Sequence, residues 1–172
     1  MTDHENMDHA ISLAARAAAA KHGGSMDIAI VGADAPGLCR MAEIGARAFS
    51  ALADASGRTW DLLALTRDAS RKPFSGAISA RSLLLPGDSD PSFAVRTGAL
   101  QVVGYGFSPR DTLTLSSFAG TERLLCLQRS LLTTGGVLLE PQELPLSPAL
   151  SALGEEQALF IAGLRLLTCA RS

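Results

Sequence analysis

The sequence predicts an α/β fold built on an open, mainly parallel sheet with flanking helices, followed by a C-terminal antiparallel β segment and a terminal helix. Three observations carry this. Short apolar runs ("DIAIV", "TWDLLAL", "SLLLP", "ALQVVGYG") alternate with helical or polar stretches through the first two thirds of the chain. Runs without a polar face suit strands covered on both sides, as in a parallel sheet between helical layers. The first run passes directly into a glycine loop and then a helical pattern, and after residue 110 the spacing changes to alternation broken by Gly and Pro. That change marks strands joined by hairpins.

In chain order, Met7, Ala10, Ile11, Ala14, Ala15 and Ala18 recur at helical spacing. They predict an amphipathic helix within residues 1–24, stopped at Gly23-Gly24 and packed on or leading into a single α/β domain over 25–172. "DIAIV" is the first strand. Pro36 suits a first helical turn, and Leu38, Met41, Ala42, Gly45, Ala48, Phe49 and Leu52 lie on one face of a helix expected to run to Gly57. "TWDLLAL" is the second strand and "TRDASRKPFSG" reads as a loop. Leu83, Leu84 and Leu85 form the third strand, ended by Pro-Gly, and "ALQVVGYG" the fourth. The β–loop–α opening makes the sheet Rossmann-like or P-loop-like. "DTLTLSSF", "RLLCLQRSLL" and "VLLEPQELPL", with "TTGG" as a turn, predict antiparallel strands. In the last helix Leu159, Phe160, Leu164, Leu166 and Leu167 leave little polar face, so it is either buried or completed by another subunit.

Composition excludes several classes. With 47% hydrophobic and 19% charged residues the chain suits a compact domain, and fifteen Lys and Arg against seventeen Asp and Glu give no basic surplus for nucleic acid. The longest strongly apolar stretch, "ALFIAGLRLLTCA", contains Arg165 and falls short of the roughly 18 residues that suggest a membrane span. The acidic, polar start is unlike a secretory signal, and three dispersed cysteines outside any CxxC pair indicate neither a disulfide framework nor structural zinc. A reducing cytoplasm is the expected compartment. All three histidines precede residue 23, away from every loop that could host chemistry. No cofactor and no metal are expected.

"GADAPGLC", residues 32–39, has the glycine spacing of a phosphate-binding loop through Gly32 and Gly37. Backbone N–H groups and a helix N-terminus there favour an anion. Leu38, however, stands at the place of the lysine that contacts terminal phosphates, and Cys39 at that of the magnesium-binding hydroxyl. Asp34 adds a carboxylate that repels phosphate and stands where a dinucleotide fingerprint needs its second glycine. ATP hydrolysis is not expected. Gly32, Ala33, Asp34, Gly37 and Cys39 remain candidate ligand contacts, beside the plainer reading of a strand-to-helix turn. Cys39 near a helix N-terminus is also a candidate reactive thiol or a small buried hydrophobe.

Asp68, Asp88 and Asp90 follow strands, where open α/β sheets gather ligand groups. They could serve a cation or general-base chemistry, or simply close turns. Arg123, Gln128 and Arg129 could pair with Glu140 and Glu143 across a hairpin or hold a polar ligand.

The order of "DIAIVGADAPGLC", "SLLLPGDSDP", "QVVGYGFSPRDTLTLSS", "VLLEPQELPL" and an apolar helix resembles the central domain of the Mur ligases, ATP-dependent amino-acid ligases of cell-wall synthesis. In that family a phosphate-loop strand opens the domain, a later strand ends in an acidic turn, and another ends in Tyr-Gly, here Tyr105-Gly106. The resemblance spans most of residues 27–168. Without the loop Lys and Thr, and with Glu155, Glu156 and Gln157 ahead of the last helix, it implies a reduced domain without ligase activity. Two functions follow as expectations. One is a non-catalytic domain acting by self-association or protein-partner binding, the final helix supplying the apolar face. The other is a nucleotide or small phosphorylated-metabolite binding protein, or an enzyme acting on such a small anionic ligand, using the 32–39 loop with Asp88 and Tyr105.

Overall fold

A computed structural model describes residues 26–117 and 123–169. The helix expected before residue 25 lies outside the described residues, as do the three histidines.

Eight strands form one mixed sheet in the order β10-β7-β6-β5-β4-β3-β1-β2. Strand β1 (Ile28–Val31) leads through the glycine loop to helix α1 (Ala35–Ala42), then to β2 (Arg47–Phe49) and a 3-10 turn at Leu52–Ala55. Strand β3 (Thr59–Leu65) is followed by the one-turn helix α2 (Arg67–Ser70), β4 (Ser79–Pro86) by α3 (Pro91–Thr97), and β5 (Gln101–Tyr105) by β6 (Leu113–Ser117). These six strands run parallel to one another. Strands β7 (Arg123–Leu127) and β10 (Gln142–Pro145) extend the same sheet antiparallel. Between them β8 (Leu131–Leu132) and β9 (Leu138–Leu139) make a separate hairpin, and helices α4 (Pro148–Ser151) and α5 (Glu155–Leu167) close the chain.

The predicted fold class therefore holds, and the apolar runs of β1, β3 and β4 are buried on both faces, while β5 leaves Val102 exposed. Alternate residues of one strand enter different cores because side chains in a strand point to opposite sides. Ile28, Ile30, Leu62, Ala64 and Leu84 join Leu38 of α1 and the α5 side chains. Ala29, Val31, Leu63, Leu65, Leu83 and Leu85 meet Leu52, Ala69 and Phe93 on the other face.

Two expectations are corrected here. The helix after Pro36 does not reach Gly57: it stops at Ala42, where Glu43 takes a left-handed conformation (φ 57°). Gly45, Ala48, Phe49 and Leu52 keep helical spacing in the sequence, yet residues 47–49 pair in parallel with 29–31 of β1. The gain of a ladder along a buried central strand outweighs a helical pattern weakened by glycine. The stretch "TRDASRKPFSG" likewise begins with a helical turn, which carries Arg67 and Asp68.

Helix α5 is buried within its own chain. Residues Ala158 to Leu164, with Leu166 and Leu167, are shielded on essentially every side. Gly163 permits this approach, since a methyl there would meet Leu113 Cδ1 at 2.9 Å and Leu84 Cδ1 at 3.1 Å. The apolar face considered for self-association is thus consumed by the sheet and α1. Among the described residues no helix is long and apolar enough to cross a membrane.

Candidate functional site

The strand order reverses between β1 and β3: the chain moves from β1 outward to β2 and then crosses back to place β3 on the other side of β1. The loops leaving two such strands diverge and open a crevice at their carboxyl ends. A cleft of about 450 Å³ lies there, lined by Ala33, Asp34 and Leu38 from the first loop and helix, Thr66 to Asp68 after β3, Tyr105 at the end of β5, and Gly154 to Gln157 with Phe160 from α5.

The floor is aromatic. Tyr105 and Phe160 meet edge to face, centroids 5.6 Å apart, and both are buried. Tyr105 donates its hydroxyl to the Leu65 carbonyl at 3.0 Å. Burial, reinforced by the charge of Glu156, pushes the phenol far above its ordinary range. It is a neutral group already committed to the backbone.

The wall is acidic. Among the described residues, Asp34, Asp68, Glu155 and Glu156 face a single cation, Arg67. Arg67 donates Nε to Glu156 at 2.5 Å and Nη1 to both oxygens of Asp88 at 2.7 and 2.6 Å. Partial burial works against its charge, but these carboxylate contacts outweigh it and raise the guanidinium pKa. Asp88, one of the predicted ligand groups, therefore stands beside the cleft as a counterion to Arg67.

The glycine loop is closed to anions by the chain's own carboxylates. Ala33 donates its N–H to Asp68 Oδ2 at 3.1 Å, where a phosphate loop would offer it to a ligand. Thr66 donates its hydroxyl to the other Asp68 oxygen. Burial alone would raise the Asp68 pKa, yet the Thr66 and Ala33 hydrogen bonds prevail and hold the carboxyl below its usual range. Asp34 leans over the first turn of α1, so a methyl on Gly37 would lie 2.5 Å from its Oδ1. Gly32 is needed for the same kind of reason: a methyl there would meet Thr66 Cγ2 at 2.6 Å. Leu38 fills its position as a core residue.

The predicted ligand residues thus divide. Ala33, Asp34 and Tyr105 line the cleft. Gly32 and Gly37 shape its loop, and Cys39 sits outside the lining with Sγ 3.9 Å from the Ala46 carbonyl. Burial raises the Cys39 thiol pKa, and the nearby Arg40 charge only partly offsets this. The thiol is not activated. Asp90 caps α3, accepting from the Ser92 N–H at 2.9 Å and its hydroxyl at 2.7 Å. Of the proposed Arg–Glu pairs, Arg123 instead approaches Glu155 at 4.0 Å, and Glu143 faces Cys126.

Sequence reasoning missed Thr66, Arg67, Glu156 and Asp111. The last of these is buried and accepts the Ser108 N–H at 2.9 Å. A methyl on Gly106 would meet Asp111 Oδ2 at 2.5 Å, and one on Gly87 would come closer still to Oδ1. Glycines closing two adjacent strands, after Pro86 and Tyr105, were the available signal. Among the described residues no group of three or more His, Cys, Asp or Glu is arranged to hold a metal ion. Protein-family models, curated proteins and solved structures provide no match to this chain.

Proposed function

We propose that the chain is a non-catalytic binding domain whose ligand is a small molecule with an apolar body and a cationic, amine-type group, held in the crevice between β1 and β3. The observation that carries this reading is the cleft itself: a concave site on an aromatic floor, at the switch point where open α/β sheets receive ligands. Its charge sets the class. Among the described residues, Glu156 pairs with Arg67, and Asp34, Asp68 and Glu155 leave the cleft net negative, which favours a cation and opposes the phosphorylated ligands for which the glycine spacing is known.

The absence of turnover follows from the residues at hand. A phosphoryl-transfer site needs a cation and metal-holding hydroxyl against the phosphates, whereas Leu38 and Cys39 supply neither and Ala33 already serves Asp68. In this reading the chain keeps the scaffold of a Mur-ligase-like central domain and has lost its reaction.

The test is a thermal-shift and calorimetric titration with benzylamine, phenethylamine and agmatine, against ATP and AMP, at matched ionic strength. Ligand selective for the folded form raises the melting temperature. An amine-specific rise that disappears in the Asp34→Asn/Glu155→Gln protein supports the proposal. Stabilisation by ATP that Asp34→Asn enhances, or ATP turnover by the pure protein, would overturn it.

A further inference from the structure

We propose a second binding site, for a small oxyanion, on the opposite face of the sheet from the acidic cleft. A cavity of about 180 Å³ lies there between the segment following α2 and helix α3. Its polar lining includes Arg71, Lys72, Arg96, Ser89 and Asp90, against an apolar wall that includes Phe74 and Phe93. The volume admits a phosphate-sized solute rather than a nucleotide.

Charge distinguishes this cavity from the first. Among the described residues that line it, three cations face one carboxylate, and both oxygens of that carboxylate, Asp90, are already engaged by Ser92. Arg96 uses Nη1 on the Phe74 carbonyl at 2.6 Å, which fixes its guanidinium at the cavity while leaving its other donors unassigned to protein acceptors. Arg71 has only a long contact, 3.9 Å, with Asp88, and its side chain is 69% exposed. The guanidinium groups thus retain donors in the fork geometry that matches phosphate oxygens.

Ser89 supplies an independent observation. Its Oγ is shielded from solvent and has no hydrogen-bond partner among the described residues. Buried polar groups in folded proteins nearly always have one, so an unmatched hydroxyl in the wall of a cationic cavity calls for a water, ligand or ion there. In this proposal an oxyanion accepts from the arginines that line the cavity, and a small adjustment of the wall brings the Ser89 hydroxyl within reach. No helix dipole is needed, and the two cavities sort ligands by sign on either side of α2.

Isothermal titration with inorganic phosphate and, separately, phenyl phosphate tests the site at constant ionic strength, with chloride as control. Saturable binding is expected, weakened about tenfold or more in the Arg71→Gln/Lys72→Gln protein, because each lost charge-assisted contact is worth roughly that factor. Both residues are exposed, so the fold should survive, and an unchanged circular-dichroism melt verifies it. Ser89→Ala, which removes the unmatched hydroxyl, should weaken binding without lowering stability. Binding of both probes identifies free phosphate as sufficient, and binding of phenyl phosphate alone identifies an aromatic-side phosphomonoester; either supports the site. No saturable binding of either probe, or binding unaffected by Arg71→Gln/Lys72→Gln, overturns it. Asp34→Asn/Glu155→Gln should leave phosphate affinity unchanged, which separates failure here from failure of the amine cleft.

Discussion

Replacing Asp68 with alanine removes the carboxylate that closes the glycine loop. Two hydrogen bonds are lost, from the Ala33 N–H and the Thr66 hydroxyl. Bonds to a charged acceptor contribute about 1.5–3 kcal/mol when buried, but Asp68 and Ala33 are exposed and water replaces much of the loss, so a net cost of about 1 kcal/mol is expected. For a domain of this size that lowers Tm by about 2–4 °C. The folded Asp68 pKa is depressed below its ordinary 3.8, despite burial acting in the opposite sense, through the Thr66 and Ala33 contacts. Its contribution is therefore complete above that ordinary value and fades as pH falls through the lower folded one. Urea denaturation of wild type and Asp68→Ala at neutral pH, and in steps from about pH 5 down to about pH 2, reads this directly. The stability gap should be full at pH 7 and close in acid. A gap that is absent at pH 7, or that persists unchanged to the lowest pH, would refute the assignment of a carboxylate on the loop amide.

Gly87→Ala should destabilise by about 2–4 kcal/mol by displacing Asp111, and by less than about 1 kcal/mol in an Asp111→Ala background, because the clash is then gone. Equal penalties in both backgrounds, measured by denaturant melts, would discount that contact. Gly87 does not adopt a positive φ, so backbone strain is not a competing cause. Cys39 should react with iodoacetamide at pH 8 at least about tenfold more slowly than glutathione, since burial raises its pKa and limits access. A faster rate would restore the reactive-thiol reading.

Strands with apolar runs buried on both faces were legible: "LLAL" lies within β3 and "LLLP" within β4, while "QVVGY" at β5 was legible from its apolar residues although Val102 is exposed. Strand β2 was not. Its residues Arg47 and Ala48 are exposed, so the local pattern carries no period-two signal, and its structure comes from pairing with β1. The joining of β6, β7 and β10 to the parallel sheet is equally non-local. At the site, the glycine spacing pointed to a loop that lines the cleft, but not to the carboxylates that surround it. Asp68 takes the loop amide through a contact that depends on α2, and Asp34 lies over Gly37. The carboxylates of α5 reach the same cleft from about a hundred residues away in the chain, a distance no short motif spans.

The sheet also carries a safeguard at its two margins. One is β2, only three residues long. The other is β10, which ends in Pro145 and is preceded by Pro141, neither able to donate a main-chain hydrogen bond. A brief border and a proline-marked border are poor templates for a ninth strand. Edge-to-edge pairing through these two borders is thereby discouraged.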